Sequence, residues 1–168
     1  GPEDRNGTRN HDEIRFWADY IHPGRSWYIY DDDGSYGGLQ GADRFVIAGD
    51  QNADPLDGDS TAGAIQQLLH NPKVNTKSTP ASAGGPEAVA LQGAANDGHL
   101  GDPSYDTADF GDDPPFGPGN LRVDYVLPRV GMRILDSGVF WPTTDDALSE
   151  LIGASDHRLV WIEVVVKS

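Results

Sequence analysis

The sequence has no cysteine and a single methionine. Disulfides and thiolate metal sites are therefore excluded, and any metal centre must use oxygen or imidazole donors. No stretch approaches the roughly 20 consecutive apolar residues of a membrane-spanning helix. Basic residues are scarce, 12 Lys and Arg against 27 Asp and Glu, for a formal net charge of −15. Wrapping of duplex nucleic acid draws much of its affinity from neutralised phosphates, so this balance argues against long duplex nucleic acid as a partner. It leaves phosphate chemistry open, because a few arginines and divalent cations can reverse the potential locally. The opening Gly1-Pro2-Glu3-Asp4-Arg5 shows no basic-then-apolar leader pattern. A start without Met is expected of a processed or excised piece.

What is present suits one globular domain: 168 residues, of which 37% are hydrophobic before the 21 Gly are counted. Asn10 followed by Glu13 reads as a capping box, with a helix from about His11 to His22 carrying Ile14, Trp17, Ala18 and Ile21 on one face. Pro23-Gly24 ends it. Ser26 to Tyr30 is aromatic and β-prone, and Arg44 to Gly49 is an apolar run of strand length. Thr61 to His70 has helical spacing. Pro80 to Gly119 reads as a long irregular loop of the kind that is functional or mobile. Leu121 to Leu127 and Leu159 to Val166 are strand-like, with Met132 to Phe140 a weaker candidate between them. Alternating strands, helices and loops predict an α/β or α+β layered fold.

Three stretches place polar groups against apolar runs that can hold them rigidly. In Gly49-Asp50-Gln51-Asn52-Ala53-Asp54-Pro55, Asp50 and Asn52 stand two apart, which in extended backbone sends both side chains to one side. A carboxylate beside an amide can activate a water and hold the group it attacks, although the same residues also make ordinary turns. In Leu121-Arg122-Val123-Asp124-Tyr125-Val126, Asp124 needs a partner if buried. Arg122 at i−2 offers a salt bridge, and His157 is the alternative. In Ser155-Asp156-His157-Arg158, Asp156 and His157 open the last strand, and alternation would send them to opposite faces unless the backbone bends.

Taken together and in this order, the three stretches resemble the catalytic motifs of the endonuclease/exonuclease/phosphatase superfamily, the deoxyribonuclease-like metal-dependent phosphodiesterases. The extended string Gly49 to Ser60 and the opening segment resemble its secreted bacterial branch, with Gln51 where Phe is commoner. The resemblance implies a metal-dependent phosphoric ester hydrolase acting on a phosphate-ester substrate. Catalytic roles fall to Asp50, Asn52, Asp124 and His157, with Asp124 orienting the His157 imidazole. Asp156 would hold the divalent metal, Mg²⁺ or Ca²⁺. It also implies that residues 1–168 are the C-terminal half of a four-layer β-sandwich with flanking helices, lacking an N-terminal half that carries a metal-binding Glu and a second His. The chain alone is then expected to be inactive and to need that half, or a homo-oligomer, to cover its open sheet. Extracellular or periplasmic location follows from resemblance alone. The competing reading is a structural module that self-assembles into an oligomer or filament through that sheet.

Weaker signals read as structure. Asp31-Asp32-Asp33-Gly34 lacks the spacing and distal Glu of an EF-hand and reads as a solvated turn. Asp54, Asp57 and Asp59 form a carboxylate nest or cap a helix. His11, His22, His70 and His99 show no ligand spacing, and Trp17, Trp27, Trp141 and Trp161 read as core and interface residues.

Overall fold

Helix α1 (Asn10–Tyr20) forms where the apolar spacing predicts it. Ile14, Ala18 and Ile21 are buried, whereas Trp17 is 40% exposed on the helix flank. The capping box does not form: Asn10 is already the first helical residue. The preceding turn is capped by Asp4, whose carboxylate accepts the backbone N–H and hydroxyl of Thr8. The structure is a computed structural model, and it describes residues 4–113 and 116–166. The first three residues of the opening segment and residues 114–115 of the long loop lie outside the described residues.

The strands are β1 (Val46–Asp50), β2 (Ala108–Asp109), β3 (Asn120–Leu121), β4 (Asp124–Pro128), β5 (Arg133–Phe140) and β6 (Leu159–Val165). They pair as three two-stranded antiparallel ladders, β1 with β4, β2 with β3 and β5 with β6. Chain topology is therefore mixed α and β, as the alternation predicts. Ser26 to Tyr30 is not a strand but a single 3-10 turn (Ser26–Tyr28), with only an isolated bridge from Tyr30 to Tyr36. The run expected as one strand through Asp124 is broken into β3 and β4, so Asp124 opens a strand instead of sitting inside one.

One core lies between the helices and the β1–β4 ladder. Ile14, Ala18 and Ile21 pack with Ile47, Ala64, Ile65, Leu68, Tyr125 and Leu127. The helix expected over Thr61 to His70 shrinks to α2 (Gln66–Leu69), yet its apolar positions Ala64, Ile65 and Leu68 are all buried as the spacing requires. A smaller cluster of Ala108, Leu121 and Val123 lies beside it, with Phe110 against it.

The stretch from Pro80 to Gly119 is not structureless. It contains α3 (Gly84–Gln92) and β2. A Gly-Gly-Pro start hides this helix from propensity, but close packing demands it: a Cβ at Gly84 would collide with the Trp141 carbonyl, and one at Gly85 with the Pro103 carbonyl. Pro86 falls in the first turn, where its missing N–H costs nothing.

Among the described residues, no helix is long and apolar enough to cross a membrane. Asp31 accepts the N–H groups of Asp33 and Ser35, so the Asp-rich loop is a local turn. Asp54 and Asp57 likewise spend their oxygens on backbone amides, those of Leu56, Asp57 and Arg122 for Asp54 and those of Leu100 and Gly101 for Asp57.

Two expectations follow. Leu68 is fully buried, so Leu68→Ala should lower unfolding free energy by about 2–5 kcal/mol in urea titration, and a cost under about 1 kcal/mol would mean this core is loosely packed. Burial, followed by the negative charges of Asp54, Asp57 and Asp102, pushes the Asp106 carboxyl up to about 7. Its favourable contribution is complete below the unfolded value of about 4 and is lost as pH rises toward about 7. Asp106→Asn should raise the Tm at about pH 8 and leave it nearly unchanged at about pH 4; a parallel shift at both would contradict this.

Candidate active site

The antiparallel register sets Asp50 directly opposite Asp124. The ladder extends one step further, with the Gln51 N–H donating to the Val123 carbonyl at 2.8 Å. There the chain turns. Asn52 has φ of 45°, a left-handed conformation that Asn tolerates better than most residues. Its N–H donates to Asp50 Oδ1 at 2.6 Å. The two side chains are therefore not related as neighbours on an extended strand; a tight Asx turn brings the Asn52 backbone onto the Asp50 carboxylate.

This turn is held from below. Asn10 Nδ2, buried, donates to the carbonyls of Gln51 and Asn52 at 3.0 and 2.9 Å. The buried Tyr125 hydroxyl lies 2.8 Å from the carbonyls of Ala53 and Arg122 and donates to them. Burial pushes its pKa up, which keeps it a donor. Asn10, read from sequence as a helix cap, thus serves the loop instead.

His157 is brought in by a different device. Residues Thr107 to Asp109 run between two edges: the Thr107 N–H donates to the Leu121 carbonyl at 2.9 Å, the Arg158 N–H donates to the Thr107 carbonyl at 2.7 Å, and the Asp109 N–H donates to the Asp156 carbonyl at 2.8 Å. The Thr107 hydroxyl accepts the amides of Val123 and Asp124 at 3.0 and 2.9 Å. Arg158 then locks the motif loop: its guanidinium stacks 4.4 Å from the Trp141 ring centroid and donates to the Ser155 carbonyl at 2.6 Å. Phe110 meets the His157 ring edge-on, centroids 5.3 Å apart.

The result is a contact of 2.8 Å between His157 Nδ1 and Asp124 Oδ2. Arg122, the other partner considered for Asp124, makes no ion pair with it; its guanidinium lies over the Tyr125 ring, 4.7 Å from the centroid. Burial raises the Asp124 pKa, and its hydrogen bonds to His157 and Thr107 oppose that rise. Burial works against a proton on His157, but the hydrogen bond and charge of Asp124, with Asp50 and Asp156 behind it, outweigh that and raise the imidazole pKa. The raised His157 pKa favours the protonated ring, in which Nδ1–H donates to the Asp124 carboxylate and Nε2–H faces away from it. Nε2 makes no hydrogen bond among the described residues and is free to meet a substrate oxygen.

Asp50, Asn52, Asp124 and His157 fall within residues 3–157, which match the model of the Endonuclease/Exonuclease/phosphatase family. The chain belongs to that family. No curated protein and no solved structure matches it. Members of the endonuclease/exonuclease/phosphatase family hydrolyse phosphoester bonds with divalent metals, and the donor set here can be tested against that requirement. Asp50, Asp124 and His157 each offer a ligand atom, all within 4.8 Å of one another. Carboxylate oxygens suit hard divalent cations, so an acidic metal site is available. Within it, His157 Nδ1 and Asp124 Oδ2 are joined by the 2.8 Å contact. Asp156 is exposed, its carboxylate accepts from the Ser155 hydroxyl at 3.5 Å, and it lies outside this trio.

Asn10, Thr107, Tyr125 and Arg158 hold the site together; Asn10 was read from sequence only as a helix cap, and the other three were not singled out as site residues. Only Arg158, adjoining Asp156-His157, had a positional signal. The dyad yields a direct expectation: Asp124→Asn should lower the His157 pKa, read from the pH titration of its imidazole protons by NMR. An unchanged titration would show that Asp124 does not hold the imidazolium in solution.

Proposed function

We propose that the chain is the C-terminal part of a divalent-metal-dependent phosphodiesterase or phosphatase, with Asp50, Asn52, Asp124 and His157 as its catalytic residues. The observation that carries this reading is the Asp124–His157 contact of 2.8 Å placed across one ladder step from Asp50. In the reaction, Asp50 takes a proton from a water whose oxygen attacks phosphorus. The P–O bond to the leaving group breaks, and that oxygen acquires a proton from solvent or a neighbouring acid. Asn52 holds the phosphate in line. His157, oriented through Nδ1 by Asp124, presents Nε2–H to a non-bridging oxygen and stabilises the charge that builds up there. Mg²⁺ or Ca²⁺, when bound, would supply Lewis-acid stabilisation of the same oxygens, with Asp156 one of its ligands.

Full catalysis needs the N-terminal half of the four-layer sandwich. Support comes from apolar side chains left open on the strands: Leu159 is 67% exposed, Leu135 46%, Val46 43% and Trp161 40%. Burial of these side chains by a second sheet is favourable at about 25 cal/mol per Å². A second copy of the chain would also cover them, and native mass separates the two. An extracellular or periplasmic location is part of this proposal, supported by the resemblance of the motifs to a secreted branch.

Mixing the chain with its complementary half and Mg²⁺ or Ca²⁺ should produce hydrolysis of a phosphodiester such as bis(p-nitrophenyl) phosphate. His157→Ala in that assembly should lower turnover by roughly 10²–10⁴-fold. Hydrolysis that never appears, or that ignores His157, would defeat the assignment.

A further inference from the structure

Beside Asp124 lies a cavity of about 210 Å³, well over ten times the ~10–15 Å³ that one water requires. Arg122 and Asp124 line one side, and Thr76, Ser78 and Thr79 line another. The Arg122 guanidinium makes no hydrogen bond and no ion pair with any described residue. Its backbone N–H is spent on Asp54 Oδ2 at 2.7 Å. Asp54 acts on the guanidinium through space, from beyond ion-pair range. Removing a guanidinium from water without an anion is costly, and stacking on Tyr125 offsets only part of that cost. A ring contact does not use up N–H donors, and those of the guanidinium remain without a hydrogen bond among the described residues. The hydroxyls of Thr76 and Thr79 also lack hydrogen-bond partners among the described residues, while that of Ser78 lies 2.8 Å from the Ser137 hydroxyl. Asp124 is the one carboxylate lining the cavity, and its charge is engaged by His157.

We propose that this cavity is a second anion subsite, in which Arg122 with Thr76 and Thr79 takes a phosphate of the substrate other than the one attacked. The assignment rests on the phosphoesterase reading for its meaning, and it narrows the substrate class to esters carrying at least two phosphate groups. The attacked phosphate sits at His157 Nε2 and the second in the cavity, on either side of the Asp124 carboxylate. His157 does not line the cavity, so a monophosphate ester offers its one group to one subsite only. This also reconciles a phosphate substrate with a net charge of −15, since one desolvated guanidinium gives a local positive site on an otherwise acidic surface.

The test uses inorganic phosphate and the chain itself, by isothermal titration in chelator, so that neither metal nor turnover enters. Phosphate should bind the wild-type chain, and Arg122→Gln should weaken binding at least tenfold with Arg122→Lys weakening it less. His157→Asn should leave this affinity within about twofold. Thr79→Val, which spares the Tyr125 stack, should weaken binding several-fold and serves if Arg122→Gln does not fold. Affinity indifferent to Arg122 and Thr79, or abolished by His157→Asn alone, overturns the subsite. In the assembled enzyme, Arg122→Lys should lower kcat/KM for a bisphosphorylated ester at least tenfold more than for a monophosphate ester; equal losses also overturn it. His157-dependent hydrolysis together with Arg122-independent phosphate binding would sink the subsite and leave the function standing. Arg122-dependent binding in an assembly that hydrolyses nothing would do the reverse.

Discussion

Everything at the site depends on the few residues of Thr107 to Asp109. Asp124 belongs to the β1–β4 ladder and His157 to the segment leading into β6, and those two ladders share no backbone hydrogen bonds with each other. The Thr107 to Asp109 stretch joins them, pairing toward Leu121 on one edge and toward Asp156 to Arg158 on the other. The Thr107 hydroxyl adds two bonds to the amides of Val123 and Asp124, where the strand is interrupted and the ladder cannot supply partners. A contact of 2.8 Å between side chains 33 positions apart in sequence needs both backbones fixed to a fraction of that distance. The dyad is as rigid as this stitch.

Charge is organised on the same principle. The acidic residues of the loops are mostly not ligands but acceptors for backbone amides: Asp31, Asp54, Asp57 and Asp102 all cap turns. Each satisfies amides that a loop cannot pair within itself. Asp106 stands apart, buried beside that group with its pKa raised. Its cost in stability comes first from that burial and then from the nearby carboxylates of Asp54, Asp57 and Asp102. Among the described residues, Arg122 and Arg158 are both laid on aromatic rings and have pKa values lowered by burial, but Arg158 spends N–H groups on carbonyls of the motif loop while Arg122 lines the cavity with its guanidinium unbonded.

Much of this was legible from sequence, and the rest was hidden for identifiable reasons. Ile14, Ala18 and Ile21 gave away α1 because burial on a helix imposes its period. Asp50, Asp124 and His157 were legible because they sit in order at the ends of apolar runs. Helix α3 was hidden because its first residues are chosen for closeness to Trp141 and Pro103, which outweighs the poor helix propensity of Gly84 and Gly85. The expectation that Asp50 and Asn52 would share a strand face failed because Asn52 enters the left-handed region and ends the strand. The site roles of Thr107 and Asn10, the latter read as a helix cap, were hidden: they are side-chain hydrogen bonds to backbone far away in sequence, and no local pattern marks such partners.

Stability and chemistry are consequently difficult to separate in this chain. A two-stranded ladder is marginal by itself, and here each of the three depends on loops and helices for its place. The residues that perform this joining, Asn10, Thr107, Tyr125 and Arg158, are also those that aim Asn52, Asp124 and His157. A substitution at Thr107 would remove a bond from the site and from the seam between ladders at once, so lost activity there would not by itself assign it a catalytic part. At the outer rim the two demands come apart. Nε2 of His157 and the carboxylate of Asp156 hold nothing together, and the Arg122 guanidinium carries a desolvation cost that no described neighbour relieves with an ion pair. Groups that fold stability alone would not keep in such positions are the ones that an incoming phosphate can satisfy.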